Sequence, residues 1–260
     1  MRWLRFTRES RTDFGFVEGE TVRVCRGDMY AAYEPTGESV PLAGLRWETP
    51  CVPSKMVALW NNFHEAAKKF SLSIPPEPLF FVKTANSFCA HGAAIRAPKS
   101  YSGRVVYEGE IGIVIGKPAR DIAPADASQY IFGYTCVNDV TALELLKADP
   151  SFPQWTRAKS FDTFGPFGPV IATDVNPAEL SVRVRVNGKE RQNYPLRDMI
   201  FSPEQLVSLI SRDLTLLPGD VISCGTSVGA GPLPAGASVE VEIEGIGILA
   251  NRYIGADAAA

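Results

Sequence analysis

The sequence feature that most constrains the fold is the apolar run 105–115, Val-Val-Tyr-Glu-Gly-Glu-Ile-Gly-Ile-Val-Ile. It is rich in β-branched residues and is followed by a Gly-Lys-Pro turn signal, so it predicts one β-strand. Because strand side chains alternate between faces, Glu108 and Glu110 are expected on one face and Ile111 on the other. Two carboxylates on one face of an apolar strand repel each other and lose hydration, which a divalent cation would relieve. The alternative is an edge strand whose outer face is in water.

Composition and charge narrow the class of protein. Of the 260 residues, 45% are hydrophobic and 21% charged, as in ordinary soluble globular proteins. The formal net charge of −3 and the lack of a Lys/Arg-rich stretch argue against a nucleic-acid partner. No apolar run approaches the roughly 20 residues needed to span a bilayer, and the N-terminus does not resemble a secretory signal. We therefore expect a cytoplasmic protein with neither a membrane nor a nucleic-acid partner.

The cysteines and histidines limit the kind of metal site. The five cysteines are widely spaced and form no Cys-x-x-Cys pair, which argues against a disulfide framework or a zinc site. Reduced, mostly buried thiols of a cytosolic protein are expected instead. Only two histidines, His64 and His91, are present, so oxygen atoms would supply most ligands of any bound metal.

The chain divides into two predicted parts. Residues 1–52 alternate apolar and polar side chains around a turn signal at 18–20, which predicts a small N-terminal β domain. The stretch 49–55 contains two prolines and is interpreted as the boundary. Residues 53–260 are then expected to form a larger domain.

The larger part predicts many short strands and few short helices. A helix is expected at 63–70, capped by Asn61 and Asn62, and another at 203–212. The aromatic-rich, Gly- and Pro-containing segment 149–167 is expected to be a loop. This pattern indicates an α+β, β-rich fold built from mixed sheets. No Gly-rich dinucleotide fingerprint follows a strand, which argues against a dinucleotide-dependent oxidoreductase.

Several motifs occur in one order along the chain, and together they resemble the fumarylacetoacetate hydrolase family. The likeness covers residues 55–254, and the first 50 or so residues resemble the small β domain found in front of some bacterial members. The motifs are Glu-Gly-Glu at 108–110, Gly-Tyr-Thr-Cys-Val-Asn-Asp-Val-Thr-Ala at 133–142, Arg-Ala-Lys-Ser-Phe-Asp at 157–162, Val-Asn-Gly-Lys-Glu-Arg-Gln at 186–192, Pro-Gly-Asp at 218–220 and Gly-Thr at 225–226.

The resemblance implies a mixed β-sheet roll with a Mg²⁺ or Mn²⁺ site. Glu108, Glu110 and Asp139 match the metal ligands of the family, and three oxygen ligands would leave positions for substrate and water. Lys159 matches the lysine beside the metal. Read without the resemblance, Asp139 is an ordinary turn residue after a strand and Lys159 a solvated loop lysine.

The resemblance also assigns residues around the substrate. Thr226 matches a substrate-contacting threonine, and Lys83 and Gln192 match family positions near the site. His64 matches the histidine of a lid helix, which in hydrolytic members is paired with a glutamate three residues later. That position is Ala67 here, so the usual partner for activating water is missing. An exposed helix histidine is the alternative for His64.

The family resemblance implies chemistry on a 2-oxo acid that chelates the metal and passes through an enolate. The sequence-based prediction is carbon–carbon hydrolysis of an acylpyruvate-type substrate. The alternative is an isomerase or decarboxylase of aromatic catabolism, of the 2-hydroxyhepta-2,4-diene-1,7-dioate isomerase or oxaloacetate decarboxylase type, which the missing partner of His64 favours. A non-catalytic, metal-stabilised binding protein is a more distant alternative. The expected partner is a small-molecule 2-oxo acid, and a homodimer is expected from the resemblance.

Overall fold

A computed structural model of the protein describes residues 1–255. The last five residues of the predicted larger domain, 256–260, lie outside the described residues. Strands dominate the fold, as the frequent turn signals predict. In chain order they are β1 (Arg2–Arg8), β2 (Arg11–Glu18), β3 (Thr21–Gly27), β4 (Tyr33–Pro41), β5 (Arg46–Trp47), β6 (Met56–Trp60), β7 (Leu79–Lys83), β8 (Phe88–Cys89), β9 (Ala94–Arg96), β10 (Val105–Tyr107), β11 (Gly109–Ile115), β12 (Ile131–Asn138), β13 (Thr141–Ala142), β14 (Gly165–Ala172), β15 (Ser181–Val186), β16 (Lys189–Pro195), β17 (Val221–Ser223), β18 (Gly231–Pro232), β19 (Ser238–Ile243) and β20 (Gly247–Ile254).

Helices are few and short in the described chain. The α-helices are α1 (His64–Lys69), α2 (Trp155–Lys159) and α3 (Pro203–Asp213). Short 3₁₀ helices cover Ala85–Ser87, Pro124–Tyr130, Leu143–Lys147, Pro177–Glu179 and Leu196–Asp198. At α3, Ser202 accepts a hydrogen bond from the Gln205 backbone while the Gln205 side chain bonds back, so the cap that the Ser-Pro sequence predicts is formed. None of the helices within 1–255 has the length and apolar character needed to cross a bilayer.

The strands form three sheets with mixed pairing. The large sheet has the order β4-β3-β2-β1-β14-β12-β11-β17-β6-β7, with β5 beside β1 and β8 beside β14. A second sheet has the order β13-β10-β18, and a third the order β16-β15-β19-β20-β9. Most pairs are antiparallel, but β17 is parallel to β6, β20 to β9 and β14 to β8. The β-rich α+β fold with mixed sheets is therefore confirmed.

The first strands continue the large sheet. Strand β1 pairs with β14, so that Arg2 lies opposite Ala172 and Trp3 opposite Ile171. Trp3 also packs against Phe132 of β12, with ring centroids 6.2 Å apart. These contacts join the predicted N-terminal unit to the rest of the protein. The boundary between 52 and 53 stays a prediction.

Strand β11 lies in the middle of the large sheet, and every one of its residues is buried. It pairs with β12 on one side and β17 on the other. Gly112 leaves room for this packing, because a Cβ there would lie 2.7 Å from a methyl group of Val137. The predicted single strand at 105–115 is wrong in one respect. It breaks at Glu108, and its two halves enter different sheets.

Three further expectations are corrected by the structure. Strand β4 was not predicted, because its residues are mostly exposed and polar and carry no clean alternation. The segment 149–167 contains α2 and the start of β14, and β14 is buried on both faces, so periodicity could not identify it. Helix α1 is not capped by the asparagines before it. Its N-cap residue is Phe63, and Asn62 is buried with its amide bonded to Cys224 and Phe201 instead.

Asp220 clamps together the segments that precede β6 and β17. The carboxylate is fully buried and accepts hydrogen bonds from the backbone and side chain of Ser54, from Lys55 and from the backbone of Leu217. These donors come from residues shortly before β6 and shortly before β17, so one side chain holds the start of β6 against the start of β17.

Replacing Asp220 with alanine should strongly destabilise the protein. The change leaves buried backbone donors and the ammonium of Lys55 without an acceptor. We therefore expect the free energy of unfolding to fall by about 3–5 kcal/mol. Urea denaturation would measure it. Asp213→Ala, at an exposed aspartate, serves as the control and should change stability by less than about 0.5 kcal/mol. An Asp220→Ala variant as stable as this control would refute the clamp.

Candidate metal centre

Two of the predicted ligands lie where the chain passes from one sheet to another. Glu108 connects β10 to β11, and Glu110 is the second residue of β11. The backbone of Gly109 between them is held by the Gln192 side chain, whose carbonyl oxygen accepts from the Gly109 N–H at 3.1 Å. The hydroxyl of Thr226 donates to the Gly109 carbonyl at 2.9 Å. Both backbone polar groups of Gly109 are thus held by hydrogen bonds, and these bonds also fix the directions of the two glutamate side chains.

Antiparallel pairing brings the third carboxylate to the same place. Gly109 lies opposite Asn138 in the register of β11 and β12, and Asp139 follows directly. The backbone N–H of Asp139 donates to the Glu108 carbonyl at 2.8 Å. One carboxylate oxygen from each of Glu108, Glu110 and Asp139 lies within 4.8 Å of the others. The structure therefore brings the three predicted ligands together.

Two buried lysines neutralise part of this negative charge. The Lys159 ammonium donates to Glu108 at 2.6 Å and to Asp139 at 2.5 Å. The Lys83 ammonium donates to the other oxygen of Asp139 at 2.7 Å and to the Lys159 carbonyl. Lys83 is completely buried, so it supports Asp139 and Lys159 from behind and has no exposed atom to offer a substrate. With all groups ionised, three carboxylates and two ammonium groups leave a net charge of −1.

Burial and neighbouring charges divide the carboxylates into two kinds. Burial raises the pKa of Glu110 well above its usual value, and the charges of Asp139 and Glu108 raise it further. Burial also raises the pKa of Asp139, but Lys159 and Lys83 lower it by more, so it lies below its usual value. Burial lowers the pKa of Lys159, but the two adjacent carboxylates raise it above its usual value. Glu110 is therefore the carboxylate that most lacks a positive partner.

The hydrogen bonds around Glu110 satisfy only one of its two carboxylate oxygens. One carboxylate oxygen accepts from the Ser223 hydroxyl and from the Gly225 backbone N–H, the latter at 2.8 Å. The other oxygen is buried and has no hydrogen-bond partner among residues 1–255. A buried carboxylate oxygen without a donor is costly, and a cation would satisfy it. The three oxygen donors, the net negative charge and this orphaned atom fit a hard divalent cation such as Mg²⁺ or Mn²⁺.

Of the three carboxylates, that of Glu108 borders a cavity of about 480 Å³. Glu108 and Thr226 line it, whereas His64 does not. His64 is the exposed first residue of α1, and Ala67, three residues later, is completely buried. The face of α1 that borders the cavity is formed instead by Ala66 and the residues at its C-terminal end.

Trp60, Trp155 and Phe81 pack in a row that ends at the buried Lys159 ammonium. The Trp60 and Trp155 ring centroids are 5.3 Å apart, and Trp155 stacks on Phe81 at the same separation. The Lys159 ammonium lies 5.1 Å from the centre of the Phe81 ring. Cation–π contact and two carboxylates together keep this ammonium charged and fixed in position.

Some residues of this site were not identified from the sequence. Ser223 is the donor to Glu110, the Thr141 hydroxyl donates to Glu108 at 3.2 Å, and the Tyr194 hydroxyl donates to the carbonyl of Gly109. Thr141 lies inside a motif quoted above, so its position next to Asp139 was a usable signal. Nothing in the local sequence of Ser223 or Tyr194 indicates that they meet the acidic strand, because both contacts come from distant strands.

The raised pKa of Glu110 predicts a pH effect on the metal-free protein. Between the ordinary glutamate pKa of 4.5 and the raised folded-state value, the folded protein holds a proton that the unfolded chain has lost. The free energy of unfolding of chelator-treated wild type should therefore fall as the pH rises through this window, and Glu110→Gln should remove that component. Urea denaturation of both proteins from about pH 5 to pH 8 would measure the difference. A stability advantage of Glu110→Gln that does not grow with pH would contradict the assignment.

Relatives of known sequence extend over most of the chain. Protein Rv2993c of Mycobacterium tuberculosis is 41% identical over 264 residues, which cover 98% of either chain. An Archaeoglobus fulgidus protein is 45% identical over 221 residues, covering 85% of this chain and 87% of the relative. Oxaloacetate tautomerase YisK of Bacillus subtilis is 35% identical over 213 residues, covering 77% of this chain and 70% of the relative.

Solved structures agree with this fold throughout. The 2-hydroxyhepta-2,4-diene-1,7-dioate isomerase of Mycobacterium marinum has a TM-score of 0.90 at 38% identity, covering 99% of each chain. Maleylpyruvate hydrolase of Sphingobium sp. SYK-6, solved with manganese(II) and pyruvate, has a TM-score of 0.78 at 26% identity, covering 98% of this chain and 99% of that one.

The family models divide the sequence in the same way as the motifs. Residues 1–50 match the model described as Rv2993c-like, N-terminal. Residues 55–254 match the model described as fumarylacetoacetate (FAA) hydrolase C-terminal, and this range contains the three carboxylates and both buried lysines. The chain therefore belongs to the fumarylacetoacetate hydrolase family.

Proposed function

We propose that this protein is a divalent-metal-dependent enzyme that acts on 2-oxo acids through an enolate. The observation that carries the proposal is the convergence of three carboxylates within 4.8 Å beside the Lys159 ammonium, at the wall of a cavity. A small-molecule 2-oxo acid is the proposed partner, and we also propose the homodimer that the resemblance implies.

Glu108, Glu110 and Asp139 would hold Mg²⁺ or Mn²⁺. When bound, the ion supplies positive charge that polarises the keto group of a 2-oxo acid and stabilises the enolate. The residues around the ligands keep them in place before substrate arrives. Gln192 and Thr226 fix the peptide between the two glutamates, and Thr226 also borders the cavity. We propose that both act chiefly by positioning the ligands.

Lys159 contributes a fixed positive charge. Its ammonium is almost completely buried and stays protonated, because Asp139 and Glu108 raise its pKa above the usual value. A preorganised charge at this depth stabilises negative charge on a substrate oxygen without having to reorient. Lys83 would act indirectly, because it contacts Asp139 and the backbone of Lys159 and is completely buried.

The position of His64 favours proton relocation or decarboxylation over hydrolysis. Hydrolysis of a carbon–carbon bond needs a group that activates water. His64 is exposed and does not line the cavity, and the buried Ala67 leaves it without an acidic partner one turn along the helix. The relatives named as a tautomerase and an isomerase support the same preference. Carbon–carbon hydrolysis of an acylpyruvate, the sequence-based prediction, is the second candidate, and the likeness to a maleylpyruvate hydrolase favours it.

An ultraviolet turnover assay with Mg²⁺ or Mn²⁺, with and without chelator, would test these candidates. The substrates would be acylpyruvates, oxaloacetate and a hydroxymuconate-type diene diacid. We expect chelator-sensitive conversion of oxaloacetate or the diene diacid. Release of pyruvate from an acylpyruvate would establish hydrolysis and show that water is activated without the His–Glu pair. Turnover of none of them, with metal bound, would contradict the proposed function.

A further inference from the structure

The end of strand β17 supplies two hydrogen-bond donors to the same oxygen of Glu110. The Ser223 hydroxyl and the Gly225 backbone N–H, the latter at 2.8 Å, both donate to Glu110 Oε2. The other oxygen, Oε1, is buried and accepts no hydrogen bond within residues 1–255. The two oxygens of this carboxylate therefore differ, because Oε2 is saturated with donors and Oε1 is free to coordinate a cation.

The saturated oxygen has little left to offer a cation. A carboxylate oxygen has about two lone-pair positions, and the two donors occupy both of them on Oε2. A cation that bound to Oε2 would displace at least one of these donors and leave it buried without an acceptor, which is costly. Glu110 is therefore arranged to coordinate through one oxygen only.

The central strands of the large sheet hold these donors in place. Ser223 lies opposite Gly112 of β11 and opposite Ala58 of β6, so β17 is paired on both sides at this residue. The chain then turns at Gly225, whose φ of +86° favours glycine, and this turn places its N–H against the Glu110 carboxylate. Both donors are therefore in position before a cation binds.

The oxygens of the other two carboxylates are partly occupied as well. Each oxygen of Asp139 accepts from a different buried lysine. Glu108 accepts from Lys159 through one oxygen and from the Thr141 hydroxyl through the other. Among residues 1–255, the cluster therefore presents one oxygen without a donor, Oε1 of Glu110, and no carboxylate with both oxygens free to chelate.

This arrangement suits a small divalent ion better than a large one. Mg²⁺ takes an octahedron of oxygens at about 2.0–2.1 Å and keeps several waters, so a few carboxylates that each give one oxygen are sufficient. Ca²⁺ takes about 6–8 oxygens at about 2.3–2.6 Å and often binds both oxygens of one carboxylate. With Oε2 of Glu110 occupied, the cluster lacks the chelating carboxylate that favours Ca²⁺.

We propose that Ser223 is a positioning residue that keeps Glu110 a one-oxygen ligand and thereby biases the site towards Mg²⁺ and Mn²⁺ and against Ca²⁺. The proposal rests on the proposed function, which places a divalent cation at the three carboxylates. Ser223 itself contacts the carboxylate and leaves the cation to Oε1. The ordinary alternative is a hydroxyl that only satisfies a buried acceptor and contributes to stability.

Replacing Ser223 with alanine tests the proposal. Calorimetric titration of the full-length, chelator-treated protein with Mn²⁺, Mg²⁺ and Ca²⁺ gives a dissociation constant for each ion. We expect Ser223→Ala to bind Mn²⁺ and Mg²⁺ at least about 10-fold more weakly than wild type, the usual effect of losing a partner that orients a ligand. Binding of Ca²⁺ should weaken less, because Oε2 becomes available to it. The preference of the site for either small ion over Ca²⁺ should therefore fall about 10-fold.

Two further variants separate ion selection from stability. Ser208→Ala is the matched control, because Ser208 is also completely buried and donates its hydroxyl to the backbone carbonyl of Ile122 at 2.7 Å. It should lower the thermal stability and leave the ion preference unchanged. Ser223→Thr keeps the hydroxyl and should keep the wild-type preference.

The same titrations distinguish failure of this proposal from failure of the proposed function. An unchanged ion preference in Ser223→Ala, or an equal loss of preference in Ser208→Ala, would overturn the role of Ser223 and leave the metal-dependent function intact. Wild type that binds none of the three ions would overturn the metal-dependent function and, with it, this proposal.

Discussion

We expect the Glu110→Gln variant to lose divalent-metal binding and catalytic turnover while its metal-free form becomes more stable than wild type. The expected loss in kcat is about 10³-fold or more, since the charge that polarises the substrate would no longer be held in place. Glutamine has nearly the same shape as glutamate, so the variant should fold.

The opposite signs of these effects follow from the position of Glu110. The side chain is 1% exposed, has no lysine among its hydrogen-bond partners, and shares its surroundings with two other carboxylates. Its charge is costly in the metal-free protein and is offset only when a cation is bound. A neutral amide removes the cost together with the ligand.

Calorimetric titration with Mn²⁺ and thermal unfolding with and without chelator would measure both effects. Glu65→Gln, on the exposed face of α1, is the matched control and should bind metal as wild type does. A Glu110→Gln protein that binds Mn²⁺ with wild-type affinity would show that the metal is held elsewhere.

The second large effect is expected for Lys159→Met. In the metal-free protein this ammonium bridges Glu108 and Asp139, and its removal leaves buried carboxylates with only Lys83 as a positive partner. Breaking a buried ion pair on one side costs about 3–5 kcal/mol, which corresponds to a fall in Tm of about 10 °C for a chain of this size. Turnover should also be lost, because the fixed charge beside the substrate is gone.

Metal should restore much of this lost stability, because a divalent cation takes over the neutralisation of Glu108 and Asp139. The Tm increase on adding Mn²⁺ should therefore be larger for Lys159→Met than for wild type. Lys99→Met, at an exposed lysine, is the control for removing a lysine from the protein. If metal-free Lys159→Met melted at the wild-type temperature, the ammonium would not be holding the carboxylates together.

The acidic ligands were predictable because their signal is local. Two glutamates separated by one residue in an apolar strand need a partner if that strand is buried, and motif order added Asp139 and Lys159. The break at Glu108 was not predictable in the same way. The residues on either side of it are equally apolar, and only the pairing partners, β13 and β18 for one half and β12 and β17 for the other, separate them into two sheets.

Contacts between distant segments account for what the sequence did not show. Lys83 ends a predicted strand, but its burial behind Asp139 depends on how β7 and α2 pack. Asn62 had the composition of a helix cap, yet its amide bonds to backbone groups more than 130 residues away.

The account's central claim is that Glu108, Glu110 and Asp139 support formation of an enolate from a 2-oxo acid. Deuterium exchange at carbon 3 of oxaloacetate in D₂O, followed by proton NMR, reports that step whatever product is formed afterwards. The account predicts exchange that is accelerated by wild type with Mg²⁺ or Mn²⁺ and that falls to the uncatalysed rate with chelator or in Glu110→Gln. Exchange that is not accelerated by the metal-loaded protein, or acceleration that survives the chelator, would contradict the account.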